Sequence, residues 1–175
     1  EKVNKLYSNI IWSQKDNFLD VPTDCPQRDE RLGWTADAQV FARAAMYNFD
    51  VRRFFSKWLN DLSADQYPNG TVPYIVPDVL DGSEEATSAA YGDAAVIIPW
   101  EMYRIYGDKK ILERQIDSMI AWVEYMHGYG EEEYLWLGHT QLGDWLHLDR
   151  LDNPDEIRRR DDFIASAYFA HSTYI

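Results

Sequence analysis

Hydrophobic side chains recur at spacings of three and four residues along much of the chain, the period of a helix that is buried on one face. In the first such stretch Ala38, Phe41 and Ala42 would share one face. The same pattern appears five times. It predicts three helices that begin near Thr35, Asp50 and Asp93. A fourth helix should follow Gly107-Asp108 and end near Gly128, and a fifth should cover 163–175. The chain is therefore expected to be mainly helical.

Two of the connections between these helices are short. Only a few residues separate the first helix from the second, and Gly107-Asp108, a stop followed by a cap, separates the third from the fourth. Helices joined so closely fold back on each other, so each pair should form an antiparallel hairpin. Pro99 lies within the third helix and predicts a kink or a late start, because proline has no N–H to donate.

Two long connections, 66–91 and 128–154, have no helical period and are rich in proline and glycine turn signals. Irregular stretches above about 12–15 residues are uncommon in a compact domain unless they are functional or disordered. Because these two carry many aromatic and aliphatic side chains, we expect ordered loops that cover a pocket. The composition at 74–76 and 134–137 favours short β-strands within them.

Helical hairpins joined by long loops are typical of an α/α toroid, in which the hairpins stack in a ring and the loops build a cleft at one end. A ring of six hairpins needs about twelve helices of ordinary length, and this chain supplies five or six. The sequence also stops within an apolar helix. We therefore expect an all-α chain in which 1–175 form the N-terminal portion, roughly half, of a six-hairpin toroid completed by the rest of a parent chain. The exposed half-core would favour self-association of the isolated piece.

Composition excludes several classes of function. Seventeen basic residues against thirty acidic ones give a net charge of -13, whereas phosphate binding needs clustered lysine and arginine, so we expect no nucleic-acid partner. The one basic run, Arg158–Arg160, is flanked by acidic residues and predicts a solvated loop.

The sequence also lacks the features of several other classes of protein. No apolar run is as long as the roughly 18 residues that a membrane-spanning helix needs. Cys25 is the only cysteine, which excludes an internal disulfide and leaves the cellular compartment open. The spacing of the histidines does not match a metal-binding motif, so we expect no metal ion, and we expect no cofactor.

Charge is concentrated between Asp24 and Asp37, in a stretch without helical period. This segment holds four carboxylates, two arginines and one tryptophan, namely Asp24, Asp29, Glu30, Asp37, Arg28, Arg31 and Trp34. Charge pairing lets neighbouring carboxylates take different protonation states. Glycoside hydrolysis needs that difference, because one acid protonates the leaving oxygen while a second carboxylate activates water or attacks. The alternative is a capping loop with surface ion pairs, in which Asp37 only favours a helix N-terminus.

The stretch from Asp24 to Gln39 resembles the signature of α-L-rhamnosidases of glycoside hydrolase family 78. Agreement continues over Tyr91–Trp100, Tyr103–Asp108, Gly143–Leu146 and Ala165–Ala170, so the resemblance spans nearly the whole chain. It implies an α/α six-hairpin toroid and hydrolysis with inversion at the anomeric carbon.

By motif position, the resemblance implies that Glu30 is the general acid. It assigns rhamnose binding or tuning of the acid to Asp24, Arg28, Trp34 and Asp37, and the rest of the sugar pocket to Tyr91, Asp93, Asp144 and Trp145. The general base of the family lies downstream of the acid, beyond residue 175. Two positions depart from the family pattern. Tyr91 stands where tryptophan is usual, which implies weaker stacking of the sugar on this ring or a tilted sugar. Ala36 stands where glycine is frequent, and its extra methyl group leaves less room for a close approach to the backbone.

Together these observations predict part of a catalytic domain that removes terminal α-L-rhamnosyl groups from rhamnose-containing glycosides or polysaccharides. The isolated chain should be inactive, because the base lies elsewhere in the parent chain. The sequence leaves two alternatives open. One is another inverting α/α-toroid glycosidase with a different sugar, and the other is a noncatalytic sugar-binding helical module.

Overall fold

The computed structural model describes residues 1–80, 83, 86–129, 132–144 and 154–175. These residues form six helices: α1 (Lys2–Asn17), α2 (Thr35–Asn48), α3 (Arg52–Asp65), α4 (Ala94–Tyr106), α5 (Lys109–Tyr129) and α6 (Pro154–Tyr174). Within the described ranges, β structure is limited to two isolated bridges, Phe18 with Pro22 and Trp34 with Ile75. The all-α class is confirmed.

The core lies where α2, α3, α4 and α5 meet. The N-terminal half of α4 is buried all round, as its composition of alanine, valine and isoleucine requires. α4 packs along both α2 and α5, whereas α3 packs on α4 and α5, and α6 contacts α5. Trp58 of α3 and Trp122 of α5 are fully buried in this core. The result is two layers, with α2 and α4 in one and α3 and α5 in the other.

The helix boundaries follow the predicted local signals closely. α2 begins at Thr35, and α4 begins directly after Asp93. α4 ends at Tyr106 and is followed by Gly107, whose φ of 70° is the left-handed conformation that glycine adopts directly after a helix. α3 begins at Arg52, and the Asp50 carboxylate accepts the Arg52 N–H at 3.2 Å, close to the predicted capping role.

The short connections behave differently from each other. α4 and α5 form the predicted hairpin and pack extensively. The connection between α2 and α3 is tied to the end of α4, because the Tyr106 hydroxyl donates to the Phe49 carbonyl at 3.2 Å and accepts the Val51 N–H at 3.4 Å. α4 begins at Ala94 and continues through Pro99, which excludes the late start; a kink at Pro99 stays a prediction.

Three sequence expectations need correction. The sequence pattern did not predict α1, although it spans sixteen residues. Arg158–Arg160 lie inside α6 rather than in a loop, because Pro154 opens that helix and two acidic residues stabilise its first turn. The strand expected at 74–76 is a single bridge at Ile75, and no bridge forms at 134–137. None of the described helices combines the length and apolar character that crossing a bilayer requires.

Candidate active site

The acidic segment forms a loop between α1 and α2 that is closed on itself and tied to the core. The Asp24 N–H donates to the Leu32 carbonyl at 3.3 Å, which closes the loop. Its last residues run beside 74–76, where the Val76 N–H donates to the Gly33 carbonyl and the Thr35 N–H donates to the Tyr74 carbonyl, both at 2.9 Å. These backbone bonds place Trp34 and Glu30 at the start of α2.

Glycine is required at position 33 by the closeness of the two segments. A Cβ added to Gly33 would lie 2.2 Å from the Val76 carbonyl oxygen. That oxygen also accepts the indole N–H of the buried Trp58 at 3.0 Å, so it cannot move without breaking a core hydrogen bond. The acidic loop is therefore fixed by the core of the molecule.

The polar side chains of the loop converge on the Arg28 guanidinium. It donates to Asp24 Oδ2 at 2.9 Å and to Cys25 Sγ at 3.2 Å, and it lies 3.7 Å from Glu30 Oε2. Trp34 Nε1 donates to the other oxygen, Oε1, of Glu30 at 3.2 Å. Glu30 is thereby held from two sides while about a third of its side chain, 33%, stays exposed.

Asp24 differs from Glu30 in burial. Its side chain is only 8% exposed, and its Oδ1 is buried without a hydrogen-bond donor among the described residues. Ligand atoms of Asp24, Cys25 and Glu30 lie within 4.8 Å of one another, the spacing of a metal site. The Arg28 guanidinium contacts all three groups and supplies positive charge at this position.

Asp37 lies in the first turn of α2, next to the acidic cluster. Loss of hydration raises the pKa of the Asp37 carboxyl, and the nearby negative charge of Asp24 raises it further. Asp37 also acts on Tyr91, because burial first and then the Asp37 charge raise the pKa of the Tyr91 phenol to about 12. Asp24, Asp37 and Tyr91 therefore share one electrostatic environment.

Aromatic rings form a wall beside these carboxylates. The rings of Trp34 and Tyr91 meet edge to face at 6.1 Å, and Tyr91 meets Tyr74 in the same way at 5.2 Å. The Tyr74 hydroxyl donates to the Thr87 carbonyl at 2.9 Å, which fixes the ring of Tyr74. The wall thus joins the acidic loop to two points of the long connection before α4, Tyr74 within it and Tyr91 near its end.

The cluster and the wall border a cleft of about 1020 Å³. Six of the predicted site residues border it, namely Asp24, Arg28, Glu30, Trp34, Asp37 and Tyr91, and the exposed Asp144 borders it from the second long loop. Asp93 does not border it: this side chain is fully buried behind the wall. Trp145 lies outside the described residues.

The sequence pattern missed contributions from both ends of the chain. Gln14 and Asn17 of α1 border the cleft, and so does Tyr168 of α6. The Tyr168 hydroxyl donates to Gln39 Oε1 at 3.4 Å, which links α6 to α2. Burial raises the pKa of the Tyr168 phenol. The only sequence signal for Tyr168 was its place within the Ala165–Ala170 motif, and α1 had no predicted role.

Comparison with known proteins places this cleft in a family. An alpha-L-rhamnosidase of Formosa agariphila is 42% identical over 173 residues, which are 98% of this chain and 18% of that protein. An alpha-L-rhamnosidase of Streptomyces avermitilis is 44% identical over 170 residues, 97% of this chain and 15% of that protein. The chain therefore spans less than a fifth of the length of these relatives.

Solved structures agree with the sequence comparison. The crystal structure of the Streptomyces avermitilis alpha-L-rhamnosidase complexed with L-rhamnose superimposes with a TM-score of 0.86 at 42% identity, covering 97% of this chain and 16% of that chain. The alpha-L-rhamnosidase of Dictyoglumus thermophilum superimposes with a TM-score of 0.86 at 34% identity, covering 97% and 18%. The family model of the bacterial alpha-L-rhamnosidase 6 hairpin glycosidase domain matches residues 1–175. The chain therefore belongs to the bacterial α-L-rhamnosidase six-hairpin glycosidase family, and its fold is part of an α/α toroid.

Proposed function

We propose that this chain is the part of a larger α-L-rhamnosidase that supplies the general acid, Glu30, and one wall of the sugar site. The observation that carries the proposal is the position of Glu30 at the cleft. One carboxylate oxygen is held by Trp34 Nε1 and the other faces Arg28, yet the group stays accessible. A carboxylic acid that donates a proton to a leaving oxygen needs both a fixed position and access to the substrate.

The other groups suit recognition of an uncharged sugar. Asp24 borders the cleft with a side chain that is 8% exposed, and a carboxylate is a strong acceptor for a sugar hydroxyl. The rings of Trp34 and Tyr91 offer apolar surface to sugar C–H groups and to the C5 methyl of rhamnose. This combination of one buried carboxylate and an aromatic wall supports a deoxy sugar as the ligand.

In the proposed reaction, protonated Glu30 gives its proton to the glycosidic oxygen as the bond from that oxygen to the anomeric carbon breaks. A water molecule attacks the opposite face of the sugar ring, and a general base beyond residue 175 takes its proton. Single displacement of this kind inverts the anomeric configuration. Proton NMR of the first product would test that step, because an inverting enzyme releases β-L-rhamnose from an α-L-rhamnoside, whereas initial release of α-L-rhamnose would contradict it.

The acid assignment is tested by hydrolysis of an aryl α-L-rhamnoside by the full-length protein and its Glu30→Gln variant. We expect a loss of about 10²-fold or more, given the usual contribution of a general acid. Asp29→Asn is the matched control, because it removes one negative charge at the residue directly before Glu30. Asp29 is exposed and does not border the cleft. Equal losses in the two variants would contradict the role of Glu30.

Two further measurements separate the alternatives. Binding of free L-rhamnose but not D-glucose supports the sugar assignment, and the reverse preference would indicate another inverting toroid glycosidase. A folded full-length protein that binds rhamnose but hydrolyses no rhamnoside would favour a noncatalytic sugar-binding module. The 175-residue chain alone should give no turnover, and measurable turnover would contradict a base outside it.

A further inference from the structure

Asp93 is a fully buried carboxylate that accepts three hydrogen bonds from three parts of the chain. Oδ1 accepts Trp122 Nε1–H of α5 at 3.1 Å and the Ser172 hydroxyl of α6 at 2.5 Å. Oδ2 accepts the Ala90 backbone N–H at 2.8 Å. Burial raises the pKa of Asp93, and these donors oppose the rise. A carboxylate retained in such a position is held by its hydrogen bonds.

Capping does not explain this carboxylate. Asp93 occupies the N-cap position of α4, yet its side chain makes no capping hydrogen bond to the helix. It points back to Ala90 instead, three residues earlier in the chain. The side chain therefore acts on the segment before α4.

That segment has an unusual conformation directly beside the cleft. Ala90 has a φ of 68°, in the left-handed region that residues with a Cβ rarely adopt. Its neighbour Tyr91 forms the middle of the aromatic wall. An alanine keeps this conformation only where surrounding contacts impose it, and the bond from the Ala90 N–H to Asp93 is such a contact.

Neighbouring contacts make the arrangement rigid. Gly92 lies against the Trp122 ring, and a Cβ at that position would lie 2.2 Å from Cη2 of the indole. The Ala89 N–H donates to Gln141 Oε1 at 2.8 Å, which ties the same segment to the second long loop. Tyr91 is therefore placed by the groups on either side of it in sequence.

We propose that Asp93 is a positioning residue whose buried carboxylate holds Ala90 in its left-handed conformation and so sets the Tyr91 ring in the wall of the cleft. Asp93 would then affect the sugar without touching it, in contrast to the direct contact implied by its motif. The inference rests on the proposed function, since it assigns Tyr91 to the sugar site.

Asp93→Asn is the sharpest perturbation because it keeps the size and shape of the side chain. All three partners of the carboxylate donate, and an amide has only one oxygen to accept from them. The amide oxygen keeps two of the three bonds when it stays with Trp122 and Ser172, so the NH₂ group faces the Ala90 N–H and leaves that buried donor without an acceptor. Ser172→Ala is the matched control, because it removes a hydrogen bond to the same carboxylate on the side away from Ala90.

The experiment measures steady-state hydrolysis of an aryl α-L-rhamnoside by the full-length variants. We expect Asp93→Asn to lower kcat/KM by about 10- to 100-fold, with most of the change in KM, as is usual for a displaced positioning group. Ser172→Ala should stay within about twofold. Ala90→Gly in the Asp93→Asn background should recover most of the loss, because glycine adopts positive φ without a steric penalty.

A second readout does not depend on activity. The ¹⁹F resonance of 3-fluorotyrosine at position 91 should shift in Asp93→Asn and stay in place in Ser172→Ala. Equal kinetic losses in both variants, no recovery with Ala90→Gly, or an unmoved resonance in Asp93→Asn would each overturn the proposal. If the unmodified protein lacks rhamnosidase activity but the resonance shifts as expected, the proposed function fails while the positioning role stands. Should Asp93→Asn not fold, the double variant compared with Ala90→Gly carries the same test.

Discussion

The contact between the acidic loop and 74–76 predicts the effect of Gly33→Ala. The new Cβ would start 2.2 Å from the Val76 carbonyl oxygen, whereas ordinary contact begins at 3.4 Å, so the two segments must separate by 3.4 − 2.2 = 1.2 Å. Two bonds depend on the present spacing. They are the Val76 N–H to Gly33 bond at 2.9 Å and the Trp58 indole bond to the Val76 oxygen at 3.0 Å.

The magnitude follows from these two effects. Overpacking of a well-packed region costs about 1–3 kcal/mol. Leaving the buried Trp58 N–H without its acceptor costs about 1–3 kcal/mol more. The sum, about 2–6 kcal/mol, is a large part of the roughly 5–15 kcal/mol that separates folded from unfolded protein. Trp34 follows Gly33 directly, so the aromatic wall of the cleft should shift as well.

The assay is guanidinium denaturation of the purified variants followed by tryptophan fluorescence. Gly128→Ala is the matched control, since its added Cβ meets nothing within 4 Å and it lies within α5. That control should be neutral or more stable by up to about 1 kcal/mol, because alanine favours a helix over glycine. A loss below about 1 kcal/mol in Gly33→Ala would contradict this prediction, since it would mean that the 74–76 segment moves aside freely.

Three further predictions concern charge and the α2–α3 connection. Because the pKa of Asp37 is raised in the folded state, its charge opposes folding at neutral pH, so Asp37→Asn should raise the denaturation midpoint at pH 7 and make no difference below about pH 3.8. Hydrogen bonds from Arg52 lower the pKa of Asp50 to about 2, so the Asp50 carboxylate stabilises the fold above pH 3.8. Asp50→Asn should therefore lower the denaturation midpoint at pH 7, and the difference between variant and unmodified protein should disappear as the pH falls through about 2. Tyr106→Phe removes the hydroxyl that joins α4 to the α2–α3 connection and should cost about 1 kcal/mol in the same denaturation assay; an unchanged midpoint would mean that water replaces the hydroxyl at no cost.

Local signals predicted the helices that carry them. The apolar period of α2 through α5 and the stop at Gly107 act within a few residues, so they can be identified in the sequence without knowledge of the fold. The acidic loop is also contiguous, from Asp24 to Asp37, and its residues meet in space because the loop closes on itself. Glu30, Arg28 and Trp34 can therefore be identified together from the sequence alone.

The sequence pattern missed α1 because this helix packs through polar groups. Gln14 is buried and donates to the Ala45 carbonyl at 3.2 Å, and its oxygen accepts from Asn48 at 2.9 Å. By contrast Val3 and Leu6 are mostly exposed in the described structure. A helix held by hydrogen bonds of this kind gives no clear apolar face to detect.

The helical class, the family and the acidic loop can be identified from the amino-acid sequence alone, because periodicity, caps and a contiguous motif are local properties. Which motif residues reach the cleft depends on how the helices pack. Asp93 and Tyr91 are two residues apart, yet one is buried against α5 and α6 while the other faces Trp34. The difference comes from the left-handed turn at Ala90 and from partners such as Trp122 and Ser172, which are 29 and 79 residues away from Asp93 along the chain. Contacts over such separations form only when the helices pack, so no local pattern encodes them.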